Sequence, residues 1–468
     1  MMCLLVGKEL LALRREPRLW VLGLGLALLL ALALFAAAQQ QQRQEQERQA
    51  IGEDVRAQWD RQGIKHPHRG AHFGMYVFRP REPLAAFDPG IVPYVGQAIW
   101  LEPHRRNLAR HEPAADNGPV QRLANVSPAF LLNALLPLLI LALAFNQVTR
   151  EREQGTLRLL QSQGVSRLAW LVSKLIAVAL GLAALLLPLL GGAAVAAYAA
   201  GGLSLLIQTL WLEAAYLLYY VVIAGLGLAL GACCRGSRAA LCLLIALWAA
   251  WVFAVPRLAA AAAQRLVPLP AADQFWAAIA RDYRQGLPGD PDLATQVAGF
   301  EAALLRRYGV QRLEDVPLGV NAARRLMRDA YADRVHAHHF DELWRRYEQQ
   351  QQVLRGFAGF SPVLTMQLLS SALSATSLSS QQHFEAMAED YRRSFNRRID
   401  EWDRDHTQGL VSYEQAYGAN TLWQSMPVFE AAGPPPAQVL RQARPEMTLL
   451  AIWAALMIGC LTWAARRV

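Results

Sequence analysis

The sequence predicts an all-α polytopic membrane protein, with six transmembrane helices and a largely helical extracytoplasmic domain built from two long insertions. Three observations predict it. Of 468 residues 54% are hydrophobic and only 18% charged, and the charges collect between long uncharged runs instead of spreading as in a soluble domain. Six of those runs have the roughly 17–25 residues that a membrane helix needs. Basic residues crowd one set of connections between the runs and are missing from the other.

The first span, residues 20–38, is an uncharged Leu/Ala/Gly run. Basic residues precede it as in a secretory leader, but only Ala36-Ala37-Ala38 offers a cleavage site, so it reads as a retained span. Spans two and three are 128–148 and 170–190, the latter continuing as Ala-rich sequence to residue 200. Span four, 205–230, begins with Gln208 and Glu213. A carboxylate within a bilayer is costly and often functional, but beside Trp211 and Tyr216 this one also suits the outer interface. Glu213, Tyr219 and Tyr220 are therefore candidates for a pathway or a helix interface. Spans five and six are 239–255 and 447–464.

Charge sets the orientation. Segments 1–19, 149–169, 231–238 and 465–468 carry Lys8, Arg14, Arg15, Arg18, Arg150, Arg152, Arg158, Arg167, Arg235, Arg238, Arg466 and Arg467, whereas 191–202 carries no charge. The positive-inside rule then puts both termini in the cytoplasm and residues 39–127 and 256–446 outside, in the periplasm of a bacterial inner membrane. Lys174 can snorkel to the inner surface. The net charge of +9 sits beside apolar spans, so it points to membrane lipids and not to nucleic acid. All five cysteines lie in or beside apolar segments, which excludes a disulfide framework for the two insertions.

The first insertion opens with "QQQQRQEQERQAIGEDVRAQWD", strong helix formers that continue the first span outward. Prolines punctuate the remainder of the insertion, and "AHFGMYVFRP" reads as a short strand or extended segment. The second insertion is mostly helical and packs with the first. Leu326, Ala330, Val335, His339, Leu343 and Tyr347 fall close to one stripe. Extended helices lead out from span five and back to span six.

Residues 149–169 are more elaborate than a connection requires. Glu151, Arg152 and Glu153 suit the start of a short helix, where acidic side chains meet unpaired N–H groups. Gly155 permits a bend or a close approach, and Gly164 with Ser166 can break and recap the chain before span three. "REREQGTLRLLQSQGVSRLAWLVSK" resembles the loop after the second span of ABC-2 type transporter permeases, matching at Arg150, Glu151, Glu153, Gly155, Thr156, Leu157, Leu160, Ser166, Arg167 and Lys174. "GKELLALRREPRLW" resembles that family's amphipathic connecting helix, with Lys8, Glu9, Arg14, Arg15 and Arg18 on its polar side. The resemblance implies the ABC-2 (type V) exporter fold, with residues 149–169 as a coupling-helix loop for a separate cytosolic ATPase dimer.

The long second insertion is similar to the DUF3526-type segment of one branch, which includes relatives of the nitrous oxide reductase maturation permease. The likeness rests on Pro362, Leu364, Leu368, Leu369, Thr376, His383, Phe384, Tyr391 and Arg392, and on Pro427 and Phe429 in "MPVFE". It implies a permease subunit of an ABC transporter that exports or handles an extracytoplasmic substrate. The alternative is a mechanotransmitter that rearranges an outer domain or partner without passing solute.

No G-x-x-x-x-G-K-[ST] occurs, so no enzymatic activity is expected of this chain, and ATP and Mg would bind the partner ATPase. No pattern of nucleophile, base and carboxylate favours a hydrolase. Six spans make half of a two-fold pathway, implying a second copy or a homologous permease, and a periplasmic cargo protein is a further candidate partner. His66, His68 and His72 surround a proline and a glycine and read as a polar turn, and "HAHHF" as a helix surface, so no metal site is assigned.

Overall fold

Runs of Leu and Ala become helices in lipid because every backbone polar group there must be bonded within its own segment. The computed structural model describes residues 1–116, 127–410 and 417–467, without the side chains of Arg18, Leu19, Asp116 and Asn146. Among these residues five helices are long and apolar enough to cross a membrane. They are Pro17–Asp60, Pro128–Glu153, Arg167–Cys233, Ser237–Leu266 and Arg444–Arg467.

The first long helix spans 44 residues, about 66 Å at 1.5 Å per residue, so roughly half of it extends past a bilayer core of about 30 Å. The third is interrupted. Gly201 (φ −144°, ψ 17°) and Gly202 (φ 63°, ψ −154°) leave helical geometry, within the 191–202 join expected between spans three and four. Each side of the break exceeds the roughly 20 residues that cross a bilayer.

The second long helix lies at the centre of the main apolar core, with Ile140, Ala144 and Val148 fully buried as it packs against the third and fourth helices. Its start contains a π-helical turn, Leu131–Leu135, just before Pro137. Proline has no N–H, so the carbonyls it would have served need other donors. Tyr219 Oη donates to Asn133 O at 3.0 Å and Tyr220 Oη to Leu132 O at 3.3 Å. The fourth helix repeats the device at Ala250–Ala254 before Pro256, where Ser361 Oγ donates to Trp251 O at 3.1 Å.

Ser361 belongs to the second insertion, and its bond marks an unexpected seat. The apolar helix Pro362–Leu373 is buried in the main core among the long helices. Gln208 Nε2 donates to Leu373 O, and Tyr216 Oη to Ser370 Oγ at 3.0 Å. Asp88 of the first insertion is buried, which raises the pKa of its carboxyl, and it bonds the same serine.

The two insertions do pack together. Trp59, at the far end of the first helix, lies edge-on to Phe395 and Trp423 at 4.8 and 5.9 Å. Its indole N–H donates to Trp423 O at 3.1 Å, and Trp423 returns a bond to Gly63 O at 2.8 Å. Strand β1 (Met75–Phe78) pairs antiparallel with β2 (Ala98–Leu101), Met75 opposite Leu101 and Phe78 opposite Ala98. The helices Ala272–Gln285, Leu293–Tyr308, Val320–Ala358 and Leu378–Asp405 make the rest.

Two expectations need correction here. Ala330 is exposed, while Tyr331, Val335, His336 and Phe340 are buried, because Val320–Ala358 is flanked by other helices on more than one side and no single stripe describes it. The path back to the last long helix also runs through the short helix Pro436–Gln442, not an extended one.

Candidate functional site: an ion cluster at the base of the charged loop

The second long helix carries on to Glu153 and then turns sharply. Gly155 has φ +73°, a left-handed conformation that side chains with a Cβ avoid, and the short helix Thr156–Ser162 begins directly after it. The helix of the loop therefore starts at Thr156. Glu151 and Glu153 occupy the end of the preceding helix and do not complement a new N-terminus. Thr156 Oγ1 donates to Glu151 O at 3.2 Å, and Leu157 is buried while Leu160 packs against the core. Ser166 caps the third long helix by accepting from Ala169 N at 3.2 Å.

Glu151 lies at the centre of the site. Its Oε1 meets Lys8 Nζ at 2.6 Å and Lys174 Nζ at 3.1 Å, and its Oε2 accepts from the Trp170 indole at 2.7 Å. Lys174 also meets Glu9 at 3.0 Å, and Lys8 meets Glu9 at 3.2 Å. Two lysines and two carboxylates thus join the N-terminal helix Met2–Arg14, the end of the second long helix and the start of the third. Burial pulls the Lys8 ammonium down, but bonds to Glu151 and Glu9 more than offset it and its pKa is raised. The charges balance, which is how a cluster this enclosed is tolerated.

Two readings of these residues change. Lys174 does not snorkel; its side chain is 1% exposed. Glu9 is not on the polar side of the N-terminal helix but falls on its buried line with Leu5 and Leu13, leaving Lys8, Arg14 and Arg15 outward. A shortage of neutral partners in an apolar setting draws opposite charges together, and a wheel of one helix does not show where the opposite charge sits.

The neighbouring charges also bond to the chain itself, Arg152 half-buried and Glu153 exposed. Arg152 donates to Cys234 O at 2.7 Å and Ala232 O at 2.8 Å, satisfying carbonyls left open where the third long helix ends. Glu153 accepts from Ser237 N at 2.8 Å and Ser237 Oγ at 3.1 Å, capping the fourth. Among the exposed residues of the loop are Arg150, Glu153, Gln154, Thr156, Arg158, Leu159, Ser166 and Arg167, with Leu159 61% exposed. The partnerships through Trp170, Ser237 and Lys174 were missed by sequence reasoning. The available signal was a lone lysine inside an apolar run.

Glu213, Tyr219 and Tyr220 lie apart from this cluster. Both tyrosines are buried in the seam against the second helix, and Glu213 is half-buried. The tyrosine hydroxyls bond carbonyls of that helix. Among the histidines, His336 is buried, His338 exposed, and His339 bonds Asp282 at 2.9 Å, so "HAHHF" does not converge.

Residues 116–281 match the model of an ABC-2 family transporter protein, and residues 273–432 match DUF3526, a domain of unknown function. No curated protein and no solved structure matches the chain.

Proposed function

We propose, because residues 116–281 match the ABC-2 family transporter model and residues 273–432 match DUF3526, that the chain is the membrane permease subunit of an ABC transporter. ATP hydrolysis on a separate cytosolic ATPase dimer, which holds the nucleotide and Mg, drives it. The two sides of the Gly201–Gly202 break count as separate spans, giving six. Both termini and the Thr156–Ser162 loop then face the cytoplasm, and the insertions face the periplasm of an inner membrane. A second copy or a homologous permease completes the pathway.

One observation carries this reading: the balanced cluster of Lys8, Glu9, Glu151 and Lys174. It makes a mechanical joint of three helices directly beneath a short helix that presents Arg158 and Leu159 outward. A force applied to that helix reaches the second and third spans together, through contacts that resist separation because each would strand a buried charge. The coupling surface is the exposed set, with Glu151 and Arg152 anchoring it from behind and Glu153 bonding it to the start of the fourth helix.

A second reading is favoured by the seat of Pro362–Leu373 among the long helices. A mechanotransmitter that moves its outer domain without passing solute needs such a rigid attachment. Reconstitution tests the shared premise. Arg158→Glu with Leu159→Glu should leave the chain inserted but lower ATPase copurification and permease-stimulated hydrolysis at least tenfold. Full stoichiometry and full stimulation in that variant would remove the coupling role.

A further inference from the structure

Spacing alone makes a polar turn of His66, His68 and His72, but folding brings in a fourth histidine from beyond β1 and β2. His68 Nε2 lies 3.1 Å from His72 Nε2 and 3.3 Å from His104 Nε2. One nitrogen from each of the three rings lies within 4.8 Å of the other two. Metal–nitrogen bonds of about 2.0–2.1 Å in a tetrahedron separate neighbouring nitrogens by about 3.3–3.4 Å, close to the two short separations here.

The surroundings are those of a ligand set. His104 Nδ1 is 2.8 Å from Asp329 Oδ1, so the Nδ1–H donates to the carboxylate and Nε2 keeps its lone pair for the shared point. His68 Nδ1 has Asp400 Oδ1 at 3.9 Å, and Asp400 is itself held by Arg325 at 3.0 Å. The backbone is fixed too. His68 and His72 stand one turn apart on and just after the helix Pro67–Ala71. Gly70 in that helix packs so tightly on Trp423 that an added Cβ would fall 2.4 Å from its ring. Three imidazoles facing one point have few shared protons to offer each other, whereas one cation satisfies all three.

We propose that His68, His72 and His104 bind one borderline divalent transition ion of the Zn²⁺ or Cu²⁺ class, which imidazole nitrogen prefers. His68 is buried and the other two are exposed, so the fourth position opens to solvent and takes water or an exchangeable ligand. Through Asp329 and Asp400 the ion also ties the first insertion to the two longest helices of the second.

Zn²⁺ is the probe, on full-length protein in detergent, free of any polyhistidine tag and stripped with chelator. Competition against a chromophoric chelator should give one Zn²⁺ per chain and a thermal midpoint raised by the metal. His72→Ala and His104→Ala should each weaken binding at least a hundredfold and abolish the thermal shift. Asp329→Asn should weaken it by about 10–100-fold, and His338→Ala should change nothing. If His104→Ala fails to fold, the exposed His72 decides alone. Wild-type affinity in His72→Ala, or Zn²⁺ bound only at adventitious surface sites, overturns the proposal.

Discussion

Lys174→Met removes the one fully buried cation of the ion cluster while nearly keeping its length. At an effective dielectric of about 20, each contact near 3 Å is worth about 5 kcal/mol in Coulomb energy before desolvation is set against it. After that correction, breaking a buried pair by deleting one partner costs about 3–5 kcal/mol, because a charge is left stranded. Lys8 stays within 3.2 Å of Glu9 and 2.6 Å of Glu151 and still compensates one of the two carboxylates. The lower end, about 3 kcal/mol, is therefore expected, roughly a hundredfold in the folded-to-unfolded ratio. The double variant Lys174→Met/Glu9→Gln restores balance between Lys8 and Glu151 and should regain about 2 kcal/mol. Denaturant titration in detergent, followed by tryptophan fluorescence, measures both. A single variant within about 0.5 kcal/mol of wild type, or a double variant no better than the single, would refute the cluster as a joint.

Gly155→Val forces a β-branched residue to φ +73°, where L residues are strained by about 1–2 kcal/mol, although no atom lies within 4 Å of the added Cβ. It should lower ATPase stimulation while Gly155→Asn, which tolerates that conformation, keeps it; equal stimulation by both would show that the turn is unimportant. In the first insertion, burial pushes the Glu82 carboxyl up to about 7 against the opposing pull of Arg79. The folded state then keeps a proton that the unfolded chain sheds, so stability falls as pH rises from about 4.5 to 7 and levels off above. Glu82→Gln should flatten that slope in pH-dependent thermal unfolding, and an unchanged slope would place its origin elsewhere. In a cysteine-free background, single cysteines replacing Gln46, Asp290 and Asp405 should react with an impermeant reagent from outside, while those replacing Gln154 and Arg467 stay protected. Labelling at position 154 would reverse the orientation.

Much of the scaffold was legible because its signals are local. The Pro17–Asp60 helix follows from a Leu/Ala run continued by Gln, Arg and Glu, and β1 lies within "AHFGMYVFRP", read as a short strand or extended segment. Its partner β2 was overlooked, since "AIWL" is short and strand pairing is decided by what lies opposite. The site divides the same way. Gly155 and Ser166 act locally, as a turn and a cap, and could be read directly. Glu9 with Lys174, and His104 with His68, are pairs distant in sequence and close only after folding. Pro362–Leu373 also escaped notice as a core element. A twelve-residue apolar helix is too short to cross a bilayer, and its only remaining explanation was burial in protein.

That seated helix also sets a scale for movement. Val320–Ala358 ends just before it, with Ala358 O held by Trp453 at 3.1 Å and by Thr365 at 2.8 Å. Its 39 residues make a rod of about 58 Å, so a tilt of roughly 5° about the Ala358 end would sweep its far tip by about 5 Å. A displacement of that size at Val320 is comparable to one helical turn, while at the base it is smaller than the gap between packed side chains. The long helices could therefore stay closely packed while the far end of the outer domain travels a distance that a bound partner would feel.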